Sequence, residues 1–453
     1  MTSSTNTTHA VIIGGSMAGL LTARVLSDYF GTVTVIERDK LPEVASNRNG
    51  TPQARHLHLL LAHGEAVLED MFPGLGAELE NHGVPRIEWG RDTKFHVKGE
   101  WLPSFESGMT SHVASRVTLE HIVRQRIYAI RNVTFLTEHQ VDSLTCCDTV
   151  GHITGVCVRS RVDDTKRQLN ADLIVDASGR GSKAPQWLDE MGYGRPEETV
   201  IDAFLGYATR WYQLPDDYDA DWTTVGIQAI PDIGLNRAGG AFRVENNQLV
   251  VTVSGINKDY PPTDNDGFMD FVKSLADLML YNVIRDLEPI TPIYGYRRTQ
   301  NRQRHFEKMS RMPEGFIVLG DAACAFNPIY GQGMTTAALG AQALGNLLAE
   351  NGYGEGFSMR FQKELVRVVH RPWLMATGED LRYPETEGAA PNMFDRMTQR
   401  YIDRFFDAMP YDTELCNAFL RVMNLMDDAA VLLQPRYLLK VMRHSSQRHQ
   451  QAA

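Results

Sequence analysis

Three short β-branched runs that each end on a glycine-rich turn, a middle stretch of alternating aromatic and β-branched residues, and a helix-patterned tail predict an α/β protein. The expected architecture is a Rossmann-like nucleotide-binding domain with an interleaved antiparallel-sheet domain and a helical C-terminal region. A chain of 453 residues is long for one core, so two or three domains are expected. Its apolar content of 43% suffices to fill them.

Residues 10–13 read as a strand that stops on Gly14-Gly15-Ser16-Met17-Ala18-Gly19. Ala18, Leu21, Val25 and Tyr29 then share one helical face, and a second β-branched run, residues 33–36, ends on Glu37. In the dinucleotide fingerprint, Gly14 and Gly19 stand at the first and third glycines, and Glu37 stands near the ribose-binding carboxylate. Ser16 replaces the second glycine, where a missing Cβ lets a pyrophosphate approach. Its hydroxyl must crowd the phosphate or bond to it. Two other readings compete: a βαβ unit whose glycines serve packing only, and a nucleophile elbow at Ser16. The elbow needs several strands before its serine, and here there is one.

Residues 38–52 are a polar loop, followed by Arg55-His56-Leu57-His58. Two histidines at i, i+2 could ligate a metal from a strand, but no third ligand lies nearby, so local hydrogen bonds or a cleft lining are expected. A helix over 64–72 stops at Pro73-Gly74, and residues 84–109 carry β signals at 94–97 and 101–105. Val117, Leu119, Ile122, Val123 and Ile127 mark the next helix. Arg116 at its start opposes the helix dipole unless it faces an anion, the alternative being an ordinary surface arginine. Residues 133–157 read as strand and hairpin, and residues 171–176 as a buried strand that exits on Ala177-Ser178-Gly179-Arg180-Gly181-Ser182.

The antiparallel block follows, with strands over 204–213, 240–244 and 248–253 and a turn at Glu245-Asn246-Asn247. An amphipathic helix is expected over 268–280. The third exit runs from residues 315–319 into Gly320-Asp321-Ala322-Ala323, and Gly331-Gln332-Gly333-Met334-Thr335 opens a helix over 336–348. An acid at a strand end can accept hydrogen bonds from a ligand hydroxyl, and amides at a helix start stabilise negative charge. In the helical tail, residues 429–443 are expected to pack on the body, with an amphipathic membrane-surface helix as the alternative.

A net charge of -11 without a Lys/Arg block excludes nucleic acid as a partner, and the densest basic stretch, 297–304, reads as solvated surface. No apolar run reaches the roughly 18 to 20 residues of a membrane span, and the first nine residues lack a basic start and an apolar core, so a cytoplasmic protein without membrane association is expected. Cys146, Cys147, Cys157, Cys324 and Cys416 are scattered, which predicts reduced, mostly buried thiols and no metal site.

With these landmarks in order, the chain resembles the group A flavin-dependent monooxygenases typified by p-hydroxybenzoate hydroxylase, closest to the bacterial branch that includes the polyether epoxidases. The most specific likeness is the strand exit Gly320-Asp321 followed by Asn327-Pro328-Ile329-Tyr330-Gly331-Gln332-Gly333-Met334. Arg55-His56-Leu57-His58 and Ser115-Arg116 are similar to that branch as well. The resemblance implies an FAD-binding domain of residues 1–78, 112–200 and 300–350, a substrate-binding β-sheet domain of residues 79–111 and 201–299, and a helical region of residues 351–453.

By the same resemblance, Gly14, Gly15, Ser16, Met17, Ala18 and Gly19 would hold the FAD pyrophosphate, Glu37 the adenosine ribose, and Arg38 would flank the adenine. Arg55 and Arg116 would lie near the phosphates or ribityl chain, and Asp321 would accept a ribityl hydroxyl. Amides around Gly331, Gly333 and Met334 would face the pyrimidine edge of the flavin. NAD(P)H is implied as a transient reductant, since no second fingerprint exists. Molecular oxygen, captured as a flavin hydroperoxide, would epoxidise an alkene or hydroxylate an electron-rich hydrophobic small molecule, in keeping with secondary metabolism. No catalytic acid or base is singled out. Ser178-Gly179 stands where the hydroxylases have Asp-Gly, wording shared with flavin-dependent halogenases and geranylgeranyl reductases. A reductase or halogenase on the same scaffold is therefore the alternative, although the six tryptophans never form the halogenase Trp-x-Trp-x-Ile-Pro motif.

Overall fold

The computed structural model describes residues 7–146 and 151–451. Strands Phe316–Val318, Leu173–Asp176, His9–Ile13, Thr32–Ile36 and Val133–Leu136 form one sheet in that spatial order. Every neighbouring pair in it is parallel. Buried on both faces, these strands need no polar alternation, which is why they read as continuous apolar runs. Their register matters for function. Ile13 pairs with Asp176, and Asp176 with Val318, so the three glycine-rich turns leave the sheet side by side at its carboxyl edge.

Those turns touch. Gly14 adopts φ +108, and a Cβ there would lie 2.6 Å from the carbonyl oxygen of Ala177, while one on Gly19 would lie 1.8 Å from that of Gly14. Both glycines are thus required by packing whatever binds above them.

A second sheet of eight strands is largely antiparallel. Gly206–Gln213, Gln248–Gly255 and Arg237–Val244 form its centre, and Asn246 and Asn247 take positive φ in the turn between the last two. Thr93–Val97 joins its far side, pairing parallel with Thr224–Ile227. Helices Asn265–Lys273 and Met279–Ile284 cover one face through Phe268, Phe271, Val272 and Leu280. The chain is accordingly a mixed α/β protein with a helical C-terminal region, the architecture that the sequence predicts.

Several element boundaries differ from the sequence reading. The helix expected over 268–280 is two helices, because Ser274 caps the first and the Asp277 carboxylate accepts from the Met279 amide at 2.7 Å to begin the second. Apolar periodicity survives the break since both pieces bury the same face. Of residues 101–105 only Trp101 is in a strand, Pro103 having no amide to give a ladder. The charged strand Lys166–Asn170, exposed and without alternation, escaped notice.

Residues 429–443 are not one helix. A 3₁₀ turn, Ala429–Leu433, ends at extended Gln434, since the residue before a proline disfavours helical backbone, and Pro435–Gln451 then starts afresh. Leu432, Tyr437 and Val441 are buried in one cluster with Phe405 and Leu415, so the segment packs on the body. Among the described residues no helix is long and apolar enough to cross a membrane. Cys324 and Cys416 are buried free thiols, Cys146 is exposed, and Cys147 lies outside the described residues.

Candidate functional site

A cavity of about 1470 Å³ opens over the carboxyl edge of the parallel sheet. All three exits line it: Gly14, Ser16, Met17 and Ala18 from the first, Ser178 to Arg180 from the second, and Asp321 from the third. Glu37 and Arg38 line it from the end of the second strand, and Gly331, Gly333 and Met334 from the start of helix Gly333–Asn351. Residues distant in the chain thus share one elongated groove. Gly15 lies within the turn and Gly19 in the first turn of helix Met17–Leu26, both behind this lining.

Ser16 is the N-cap of helix Met17–Leu26, but its side chain does not cap it. The hydroxyl instead donates to Glu120 Oε2 at 3.0 Å and accepts from Arg116 Nη2 at 2.8 Å. The first amides of the helix are therefore left for whatever lies in the groove. Arg116 pairs with Glu120 one turn on at 2.8 Å, which answers part of the dipole objection to a cation at a helix start. Its Nη1 is buried without a hydrogen-bond partner. A buried cationic donor left unpaired is costly, and an anion in the groove would satisfy it.

Sequence reading overlooked the centre of this network. Arg48, from the polar loop, contacts Glu120 at 2.9 Å, Asp39 at 3.0 Å and Glu37 at 3.2 Å, and Nη2 donates to the Gly15 carbonyl at 3.3 Å. Glu37 in turn accepts from the Gly15 amide at 2.9 Å and the Asp39 amide at 3.0 Å. These contacts clamp the glycine turn to the second strand. Burial raises the Glu120 pKa, but Arg116 and Arg48 outweigh it and hold the carboxyl below its usual range. No local signal marks Arg48, whose partners lie on other elements, whereas the i, i+4 spacing of Arg116 and Glu120 was a local signal that could have drawn Glu120 into the site.

Among the described residues Asp321 makes no hydrogen bond, and Arg180 Nε pairs with it at 3.9 Å. Enclosure in the cleft pushes its carboxyl up, against the pull of Arg180 and Arg116. Arg180, read in the sequence as part of the second exit but given no role, donates to the backbone carbonyls of Gln300 and Phe326. Arg55 lies outside the cavity lining: its guanidinium sits 4.9 Å from the centre of the Tyr294 ring.

His56 and His58 belong to no cluster of three metal-ligating side chains among the described residues. His56 Nδ1 meets Thr209 Oγ1 at 2.8 Å behind the cavity wall. His58 Nδ1 lies 3.0 Å from the His56 carbonyl. A carbonyl only accepts, so Nδ1 carries the proton. Burial, with Arg116 nearby, pushes the His58 pKa down to about 4, leaving Nε2 an unprotonated acceptor.

The loop before Gly331 is pinned by Asp380, at the end of helix Phe357–Asp380. Its buried carboxylate accepts from Tyr330 at 2.7 Å, Asn301 at 2.6 Å and Asn327 at 3.1 Å. The far part of the cavity is walled by the eight-stranded sheet, with Phe95 and Phe242, and by the C-terminal helices, with Met375, Phe406 and Phe419.

An elongated groove with free helix-start amides and an unsatisfied Arg116 Nη1 at one end, and a carboxylate without a hydrogen bond beside a second helix start at the other, fits a dinucleotide with a polyol linker. Residues 7–362 match the family described as FAD binding domain. The chain is 32% identical to Protein Rv3254 of Mycobacterium tuberculosis over 435 residues, covering 92% of this chain and 90% of that one. It is 26% identical to the kynurenine 3-monooxygenase of Salinispora tropica, covering 73% of this chain and 70% of that enzyme. Two solved structures share the fold. The flavin-dependent brominase Bmp2 superposes with a TM-score of 0.68 at 13% identity, covering 98% of this chain and all of the brominase. PqsL, a probable FAD-dependent monooxygenase of Pseudomonas aeruginosa, gives 0.59 at 16%, covering 91% of this chain and 99% of PqsL. Motif and family agree: the chain belongs to the FAD binding domain family of flavoprotein monooxygenases, and its cofactor is FAD.

Proposed function

We propose that the protein uses NAD(P)H and molecular oxygen to place one oxygen atom on an electron-rich hydrophobic small molecule, by epoxidation or hydroxylation. The observation that carries this reading is the continuity of the FAD groove with an apolar compartment between the eight-stranded sheet and the C-terminal helices. FAD, when bound and reduced, supplies the electrons that activate oxygen. The protein's part is to hold the ring, keep water away and orient the substrate.

In this reading the turn from Gly14 to Gly19 and Arg116 hold the pyrophosphate, Glu37 the adenosine ribose with Arg38 beside the adenine, and Asp321 a ribityl hydroxyl. The amides at Gly331, Gly333 and Met334 face the pyrimidine edge. Leu57, Leu59, Phe95, Phe242 and Phe419 exclude water from the compartment. Arg55, stacked on Tyr294, reaches the cofactor only if it leaves that ring. An alkene needs no base, and the polyether-epoxidase likeness is one form of the proposal.

A halogenase is the second reading, favoured by the Asp176-Ala177-Ser178-Gly179 wording and by the brominase likeness. Purified protein should carry or take up FAD, and substrate-dependent NAD(P)H oxidation should incorporate label from oxygen gas. Chloride- or bromide-dependent product without that label would favour the halogenase. Asp321→Ala should weaken FAD binding about tenfold, one hydrogen bond to a charged group, while leaving the fold intact. Unchanged affinity by fluorescence titration would remove Asp321 from the cofactor site.

A further inference from the structure

The cavity does not end at the compartment beside the cofactor. Leu374, Phe394 and Leu433, which are 55%, 71% and 43% exposed, line the same cavity as Ser16 and Asp321. They come from three separate C-terminal elements: helix Phe357–Asp380, the first turn of helix Met393–Ala408, and the 3₁₀ turn Ala429–Leu433. Between them and the cofactor groove the wall carries Met375, Ile402, Phe406, Phe419 and Val422, together with Thr398, Gln399 and the ion pair of Arg382 with Glu379 at 3.0 Å. The Phe406 and Phe419 rings meet edge to face at 5.3 Å, and Phe95 stacks on Phe419 at 6.3 Å.

We infer that this gallery is a subsite for the long apolar end of an elongated substrate, whose reacting end lies against the cofactor. The inference rests on the reading proposed above and adds the shape of the substrate to it. Large apolar side chains left in water at the mouth of a cavity are stabilised when a ligand runs out over them. A charged tail is disfavoured, because the charges at the mouth are already used. Arg371 Nε pairs with Asp428 at 2.6 Å, and Asp395 accepts from the Asn392 amide at 2.8 Å. Continuity with the cofactor groove makes the occupant part of the substrate, in preference to a second copy of the chain or a lipid surface.

The test uses FAD-loaded enzyme and 4-n-alkylphenols from propyl to nonyl, with binding read from the flavin absorbance change. Dissociation constants should fall about fourfold per methylene up to the longest chain, as burial of each group in an apolar site requires. A plateau beyond the shortest chains, or no binding at any length, would overturn the gallery. The triple variant Leu374→Ser, Phe394→Ser, Leu433→Ser alters only side chains at the mouth. It should weaken nonylphenol about tenfold or more while propylphenol and FAD bind as before. Equal losses at every length, no loss, or an effect confined to flotation with phosphatidylglycerol vesicles or to sedimentation mass would each count against it. A protein that takes up no FAD would instead defeat the proposed function.

Discussion

Single side chains divide into those that a local pattern reveals and those that only the fold brings into play. Gly14, Ser16 and Asp321 were legible because each ends a strand and opens a turn, and all three reach the groove. Arg48 was not, since its partnership with Glu120 spans 72 positions between a polar loop and a helix. Asp380 belongs to the second class too, and it carries a pH signature. Three side chains bond its carboxylate and favour the charged form, yet burial wins and pushes its pKa up to about 6. An unfolded aspartate titrates near its ordinary value of 3.8. Between these two values the native chain binds a proton that the unfolded chain has lost, so stability falls as pH rises through that window, and the cost is complete above about pH 6. A shift of about two units corresponds to about 3 kcal/mol. Asp380→Asn removes the titration. The stability difference, wild type minus variant, should therefore be about 2 kcal/mol more favourable to wild type at pH 4, where part of the cost has already set in, than at pH 7 in urea unfolding. A difference independent of pH would show that the carboxylate titrates normally.

Whole elements were legible where one period dominates. The parallel strands and helix Gly333–Asn351 came through because each is a continuous run with one exit signal. Breaks inside an apolar pattern did not, as at Ser274 and Gln434, where the same face stays buried on both sides of the interruption. The break at Gln434 decides how the last helix is used. It turns Tyr437 and Val441 onto Phe405 and Leu415, leaving Leu439 and Met442 outside. Val441→Asp would bury a carboxylate with no partner in this cluster and should cost about 3 kcal/mol or more, seen as a lower unfolding midpoint. Were the helix a membrane anchor instead, the same change would abolish vesicle flotation and leave the midpoint in solution where it was.

At the scale of the molecule, the groove exists because five parallel strands end in register, and no single segment contains it. The sequence showed three exits but could not show that Ile13, Asp176 and Val318 are neighbours in one row, since pairing partners lie more than 130 residues apart. Nor could it show that the C-terminal helices wall the far end, because helical periodicity names a buried face without naming what covers it. A ligand that touches so many segments should act as a clamp on the whole fold. FAD at about 100 times its dissociation constant stabilises the native state by about 2.7 kcal/mol. For a chain of 453 residues, with an unfolding entropy of roughly 1 kcal/mol per kelvin, that is a rise of about 3 °C in unfolding midpoint if the domains unfold together. At the same FAD concentration, a tenfold weaker site in Asp321→Ala forfeits about 1.4 kcal/mol, and so about half of the rise. Calorimetry of both proteins with and without FAD checks the scale of the effect and its route. Two separate transitions, with only one moved by FAD, would mean that the cofactor is held by the parallel-sheet domain alone and that the sheet and C-terminal helices merely stand over it.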